Sequence, residues 1–329
     1  LHIACLALGV GKGDSVWTTP ITFVASANCA LYCGAEVDFV DIDPATYNLS
    51  VDCLEEKLKH ADKLGRLPKV VIPVHLAGQS CDMAAIFKLS QQYGFKIIED
   101  ASHAIGGRYM DSPIGSCRFS DITVFSFHPV KIITTAEGGM ALTNQQALAD
   151  QMELLRSHGI TRDPDKMTQQ SDGPWYYQQI DLGYNYRMTD LQAALGLSQM
   201  QRLDTFIEKR HQIAQRYNDL FSDLPITVPW QSEDSHSAFH LYIIRLQLDK
   251  INCTHEAFFT KLRASEIGVN LHYIPIYLQP YYQEFGYNQN AYKNANAYYA
   301  EAISLPMYPN LTGEQQSYVS DVIKDLTLS

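Results

Sequence analysis

Lys69-Val-Val-Ile-Pro-Val-His75, Met83-Ala-Ala-Ile-Phe-Lys-Leu-Ser-Gln-Gln-Tyr93-Gly94 and Phe95-Lys-Ile-Ile-Glu-Asp100 form the stretch that decides the fold. The outer runs are short, continuous and apolar, as buried strands are. The middle segment, Met83 to Tyr93, reads as a helix, and Gly94 is its stop signal. Two strands joined by a helix pair in parallel, because a parallel pair needs a crossover connection.

The alternation continues in both directions. Upstream, residues 14–19 read as a strand ended by Pro20, 23–33 as a helix stopped by Gly34, and 36–42 as a strand. Ser50 opens a further helix. Downstream, 122–127 and 139–143 read as strands and 145–157 as a helix, followed by a loop-like stretch over 163–184. Thr189 caps a single long helix expected to run to Phe221. Past Pro225 and Pro229, 239–246 alternates like a strand, with helices near 256–265, 291–302 and 312–326. The expectation is an α/β protein: a large domain, 1–224, on a mostly parallel sheet, and a small α+β C-terminal domain, 225–329. Ligands in such sheets bind beyond the carboxyl ends of the strands.

Composition narrows the function classes. The chain has 329 residues, 46% hydrophobic and 19% charged, which argues for a packed core rather than disorder. Twenty-five Lys and Arg stand against 36 Asp and Glu, a net charge of −11, with no basic cluster. A nucleic-acid or anionic-membrane surface is therefore not expected. No apolar run approaches the ~20 residues of a membrane-spanning helix. The seven cysteines are odd in number and form no C-x-x-C pair, so reduced thiols and a cytoplasmic setting are expected, without a metal site. His60, His211 and His255 read as surface residues.

The first residues, Leu1 to Leu8, have a helical apolar pattern with Gly9 as its stop, yet no initiator Met and no N-cap precede them. The sequence reads as starting inside a helix.

The chemistry concentrates between Glu99 and Gly139. Gly9-Val-Gly11-Lys-Gly13 follows a helix rather than a strand, so it is no dinucleotide fingerprint. Asp100 ends a buried strand, where a carboxylate points into the ligand crevice; on position alone it also reads as an N-cap. Lys131 follows the next strand among Val130, Ile132 and Ile133. A lysine in apolar surroundings loses basicity and becomes a nucleophile toward carbonyls, although alone it also reads as a snorkelling surface residue. Together the two suggest pyridoxal 5′-phosphate, which needs a Schiff-base lysine and an acid beside its ring nitrogen.

The sequence resembles the DegT/DnrJ/EryC1/StrS sugar aminotransferases. The strings that carry the resemblance are Thr22-Phe-Val-Ala-Ser-Ala-Asn28, Glu99-Asp-Ala-Ser-His-Ala104, Ser126-Phe-His-Pro-Val-Lys131 with Glu137-Gly-Gly139, Arg156-Ser-His-Gly159, Gly183-Tyr-Asn-Tyr-Arg-Met-Thr189 and Leu271-His-Tyr-Ile-Pro275. Within the family it is most similar to the pseudaminic acid branch. The resemblance implies a fold-type I aminotransferase, a homodimer with shared active sites, acting on a UDP-4-keto-sugar with L-glutamate as donor. It implies that Lys131 bonds the cofactor, that Asp100 pairs with its pyridinium and that His103 bonds its phenolic oxygen. Phe23 would stack on the ring and Ser126 would hold the phosphate. Asn185 would reach the partner subunit's cofactor, with Arg187 beside it. His272, Tyr273, Pro275 and Tyr277 would form the nucleotide-sugar wall. A related dehydratase branch has His in place of Lys131, so lysine here favours transamination.

Members of the family carry roughly fifty to sixty residues before this starting point, a length compatible with the size of the domain. Those residues include phosphate donors, so an inactive fragment or pseudoenzyme is the alternative expectation. An NAD-dependent sugar oxidoreductase fits the fold class but lacks the glycine fingerprint.

Overall fold

Six strands build the central sheet of the computed structural model, which describes residues 1–328. They are β1 (Ser15–Thr18), β2 (Glu36–Phe39), β3 (Val70–Ile72), β4 (Lys96–Asp100), β5 (Ile122–Ser126) and β6 (Gly139–Leu142). Their order is β2-β1-β3-β4-β5-β6. All neighbours are parallel except β5 and β6, which pair antiparallel with Ser126 opposite Gly139. The family-level expectation of a mostly parallel α/β sheet is met.

The apolar runs explain why both faces are covered. Along β3, Val70 and Ile72 face one way and Val71 the other, and all three are fully buried. Val70 and Ile72 join Val16, Ile98 and Ile122 under three helices: α1 (His2–Ala7), α2 (Ala25–Tyr32) and α5 (Gln146–Arg156). Val71 joins Trp17 and Ile97 under α3 (Val51–Leu64) and α4 (Met83–Tyr93), which contribute Leu54, Leu58 and Ile86. Each such side chain adds roughly 1.5–3 kcal/mol of burial free energy. The helix ends follow from sequence. Ser50 Oγ accepts from Cys53 N (3.2 Å) and Asp82 Oδ1 from Ala85 N (3.1 Å), while Gly65 and Gly94 close their helices in the left-handed conformation.

Several boundaries differ from expectation. Strand β3 ends at Ile72 because Pro73 offers no amide to the ladder, and the chain then turns through His75–Gln79. The long helix expected from Thr189 is two: α6 (Asp190–Met200) and α7 (Leu203–Phe221). Thr189 does cap α6, in a reciprocal capping box with Gln192. At the break, Arg202 N bonds Gln199 O (3.0 Å), an i→i−3 closure that ends the α ladder.

The C-terminal part has an antiparallel sheet of β7 (Ile226–Thr227), β8 (Tyr242–Leu246) and β9 (Ala302–Leu305), with β8 in the middle. Its helices are α8 (His255–Ala264), α9 (Lys293–Glu301) and α10 (Gly313–Leu328). The sequence reading missed β9: its first residue, Ala302, was taken as the end of a helix and the other three were left unassigned. It also began β8 too early, since Phe239 has φ +43° and cannot pair as a strand. The second half of α7, from Ile213 to Phe221, packs in this C-terminal core, and residues 276–302 pack against the first one. The chain thus crosses between the two cores on both sides of position 225. His211, expected at the surface, is half-buried and stacked on His236 with ring centroids 4.1 Å apart.

Candidate active site

The carboxyl ends of β1, β3, β4 and β5 open on one side, and strand order reverses between β1 and β3. That is where open α/β sheets bind ligands. Asp100 stands at the end of β4, only 4% exposed. Its Oδ2 accepts from Ser26 Oγ (2.7 Å), which also pairs with Thr22 Oγ1 (2.9 Å). Its Oδ1 accepts from the amide and hydroxyl of Ser102 (3.1 and 2.5 Å). These donors hold the carboxylate in place in a low-dielectric site.

Lys131 sits on a tight loop beyond β5. Phe127 O accepts from Thr135 N (3.0 Å) and Thr134 Oγ1 (3.1 Å), and Phe127 N donates to Gly138 O (2.8 Å). Ile132 and Ile133 anchor the loop by packing with Ala101, Ala104 and Phe127. The Gly-Gly step permits this closure: a Cβ on Gly139 would lie 2.8 Å from Phe125 O. Burial draws the Lys131 pKa down, with the Asp100 charge opposing.

Three imidazoles surround this ammonium electrostatically. His103 follows β4 and is buried; its Nδ1 accepts from Ala77 N (3.3 Å), so its proton is on Nε2, which donates to the Tyr273 hydroxyl oxygen (3.1 Å). Burial, then the charges of His240, Lys131 and His272, push its pKa well below the usual range. His272 is held at about 4 by burial and by Lys131, and its Nδ1 meets Ser304 Oγ at 2.8 Å. The third, His240, lies 4.5 Å from the His103 ring and its buried Nδ1 has no hydrogen-bond partner. Its backbone is pinned by buried Arg210, whose Nη1 donates to the carbonyls of Phe239, His240 and Met307 (2.9, 3.2 and 3.1 Å).

Phe23 precedes α2 and keeps 60% of its surface exposed, 6.2 Å from the Tyr273 ring. Ser126 ends β5, half-buried. Asp100, Lys131, His103, His272, Tyr273 and Phe23 are therefore brought together, with Ser126 on an adjoining strand end. Pro275 is buried, next to Ile276, whose amide donates to Pro20 O (3.0 Å). Tyr277 is core: it is 1% exposed, stacks on Tyr292 (4.7 Å) and donates to Asn296 Oδ1 (2.7 Å). That burial removes it from any open sugar wall. Asn185 and Arg187 are exposed on the segment before α6, and Asn185 bridges Ser157. No hydrogen bond or ion pair among the described residues joins either of them to Asp100.

The sequence reading missed His240, Ser26 and Ser102. Ser26 had a usable signal, one helical turn past Thr22 in the quoted string. His240 had none, because it lies in a stretch that alternates like a strand.

The sequence pattern of the DegT/DnrJ/EryC1/StrS aminotransferases runs through residues 1–324. The chain belongs to that family. Among its relatives, the spore coat polysaccharide biosynthesis protein SpsC of Bacillus subtilis is 38% identical over 99% of this chain and 82% of its own length. A UDP-4-amino-4,6-dideoxy-N-acetyl-beta-L-altrosamine transaminase of Campylobacter jejuni is 37% identical over 98% of this chain and 81% of its own. Helicobacter pylori PseC, an aminotransferase of pseudoaminic acid biosynthesis, superposes with a TM-score of 0.87 at 29% identity, covering 99% of this chain and 85% of that one. A putative sugar aminotransferase of Streptococcus pneumoniae in its pyridoxal phosphate form does so with 0.85 at 29%, covering 99% and 85%.

Pyridoxal 5′-phosphate is the cofactor of this aminotransferase family. The residues present fit it. A lysine of lowered basicity, a buried carboxylate and an imidazole N–H meet at one strand-end crevice, with an exposed aromatic face alongside. No helix among the described residues is long and apolar enough to cross a membrane.

Proposed function

We propose that this chain moves an amino group from L-glutamate to C4 of a UDP-linked 4-keto-6-deoxy-N-acetylhexose. The observation that carries the reading is the placement of Lys131 beside Asp100 at the carboxyl end of the sheet, its basicity lowered by burial. The 37% identical transaminase from Campylobacter supports the choice of sugar.

Bound pyridoxal phosphate supplies an electron sink that stabilises negative charge at the carbon exchanging its amine. Asp100, fixed by Ser26 and Ser102, holds the proton on the ring nitrogen. Nε2–H of His103, which meets the Tyr273 hydroxyl in this structure, would turn to the ring's phenolic oxygen. Phe23 would cover the ring face and Ser126 would donate to the phosphate. Lys131 would hold the cofactor, and its amine would carry the proton to and from the substrate carbon. His272 and Tyr273 line the sugar side. Asn185 and Arg187 serve the site of the partner subunit in a homodimer.

Loading with pyridoxal phosphate should give a visible absorbance band that Lys131→Ala abolishes. Mass spectrometry of products from UDP- and dTDP-4-keto sugars with glutamate then identifies the substrate. A protein with Lys131 intact and no such band would overturn the cofactor assignment. Turnover of dTDP sugars alone would overturn the UDP assignment.

A further inference from the structure

Behind Asp100, on the opposite side of β4, lies a second buried polar group that the reaction does not use. His75 is fully buried and Glu99 is 5% exposed. His75 Nε2 meets Glu99 Oε2 at 2.8 Å. The other carboxylate oxygen accepts from Ser120 Oγ (2.5 Å) and Thr123 Oγ1 (3.0 Å). Cys81 N donates to His75 Nδ1 (3.1 Å), so that nitrogen keeps its lone pair and Nε2 carries the proton. Glu99 and the Cys81 thiol favour a second proton on the ring and burial opposes it, but the Cys81 amide occupies the Nδ1 lone pair that would take it. The amide geometry decides for the neutral ring. A pair of this kind is costly to break, because a buried carboxylate is left with one donor fewer.

What the pair holds is the turn His75–Gln79. His75 N donates to Asp100 O (3.1 Å), and Leu76 N to Asn48 Oδ1 (2.9 Å). Ala77, at φ +60°, aims its amide at His103 Nδ1. Ala77 O and Gly78 O accept from Leu241 N (3.2 Å) and Ala238 N (3.0 Å), the segment that carries His240. A Cβ on Gly78 would lie 2.8 Å from Phe239 N, so the turn and that segment are in backbone contact.

We infer that His75 and Glu99 are positioning residues: by fixing the 75–79 turn they keep the Ala77 amide on His103 Nδ1 and so make His103 a one-tautomer donor through Nε2. The role of His103 toward the cofactor rests on the function proposed above, but its tautomer does not. Without the Ala77 amide, the two neutral tautomers of an imidazole lie close in energy, and partial donation to the phenolic oxygen would replace constant donation.

The test is long-range 15N–1H NMR on the full chain, ring-15N-labelled at histidine and free of cofactor, with His103→Gln used only to assign the signal. His75→Asn keeps an acceptor for Cys81 at Oδ1 and loses the donor to Glu99. It should turn the His103 signal from the Nε2–H form alone into a mixture, and the Ala77 amide should lose its hydrogen-exchange protection. Glu99→Gln, which still accepts from His75, should retain the single tautomer. If His75→Asn does not fold, Glu99→Ala replaces it with the same expected outcome. A single Nε2–H tautomer in a folded variant that lacks the pair would overturn the inference. Pyridoxal phosphate titration of the same samples, read by absorbance, separates that result from failure of the functional proposal: no binding by the unaltered chain would count against the latter alone.

Discussion

Burial, and after it the ammonium of Lys131, oppose a proton on His272 and set its pKa at about 4. The unfolded chain takes up that proton near the usual value of about 6.5. Between those two values the unfolded state binds more protons, so stability falls as pH drops through the window and is fully present above it. The groups facing the imidazole are Lys131, His103, His240, the edge-on Tyr273 ring, the Ser304 hydroxyl on Nδ1 and the Tyr298 hydroxyl on its backbone carbonyl. Urea midpoints measured from about pH 6.5 down to about 4 should therefore fall less in His272→Asn than in the unaltered chain. Parallel curves would remove the assigned cause. At this scale sequence reading succeeded where chemistry and position coincide. Asp100 ends an apolar strand, and Lys131 follows one among isoleucines. It failed for His240, whose importance lies in Arg210 holding its backbone from another helix, a contact invisible in local pattern.

Elements were legible where their punctuation is local. The helix Met83–Tyr93 was read to its ends with Gly94 as its stop, and the structure adds Asp82 as its cap. The break between α6 and α7 has neither Gly nor Pro. It arises because the two halves dock on different surfaces: Gly196 of α6 against Thr135, and Ile207 to Phe221 of α7 against two cores. The loop bearing Lys131 depends on a similar close approach. A Cβ at position 138 would stand 2.3 Å from Thr135 Oγ1 and 2.8 Å from Met188 Cε. Gly138→Ala should cost about 1–3 kcal/mol, whereas Gly11→Ala, with nothing within 4 Å, should stay within about 0.5 kcal/mol. Denaturant melts of the two variants compare them directly. Equal stabilities would show that the loop gives way and does not clamp Lys131.

For the whole molecule, the mostly parallel, covered sheet was readable from alternation, but the order of its strands and the surface beside the site were not. Helix α6 buries only Gly196. Leu191 is 86% and Leu197 69% exposed, with Leu182 and Met200 also open nearby in sequence. Isolated exposed leucines are ordinary, but a helix with nearly every apolar residue exposed is not a stable solvent face. The same region carries Asn185 and Arg187, both exposed and neither hydrogen-bonded to Asp100 or Lys131. The homodimer proposed above would account for both facts if its partner covered α6 and received Asn185. The explanation makes a sharp demand on mixed subunits. Lys131→Ala and Asn185→Ala should each be inactive alone when assayed for glutamate-dependent amination. Refolded together, half of the dimers are mixed, and each mixed dimer has one site with both lesions and one with none. Turnover should then return to roughly a quarter of the unaltered level. Sites built from a single chain would stay dead on mixing, and that outcome would assign Asn185 to the chain that carries it.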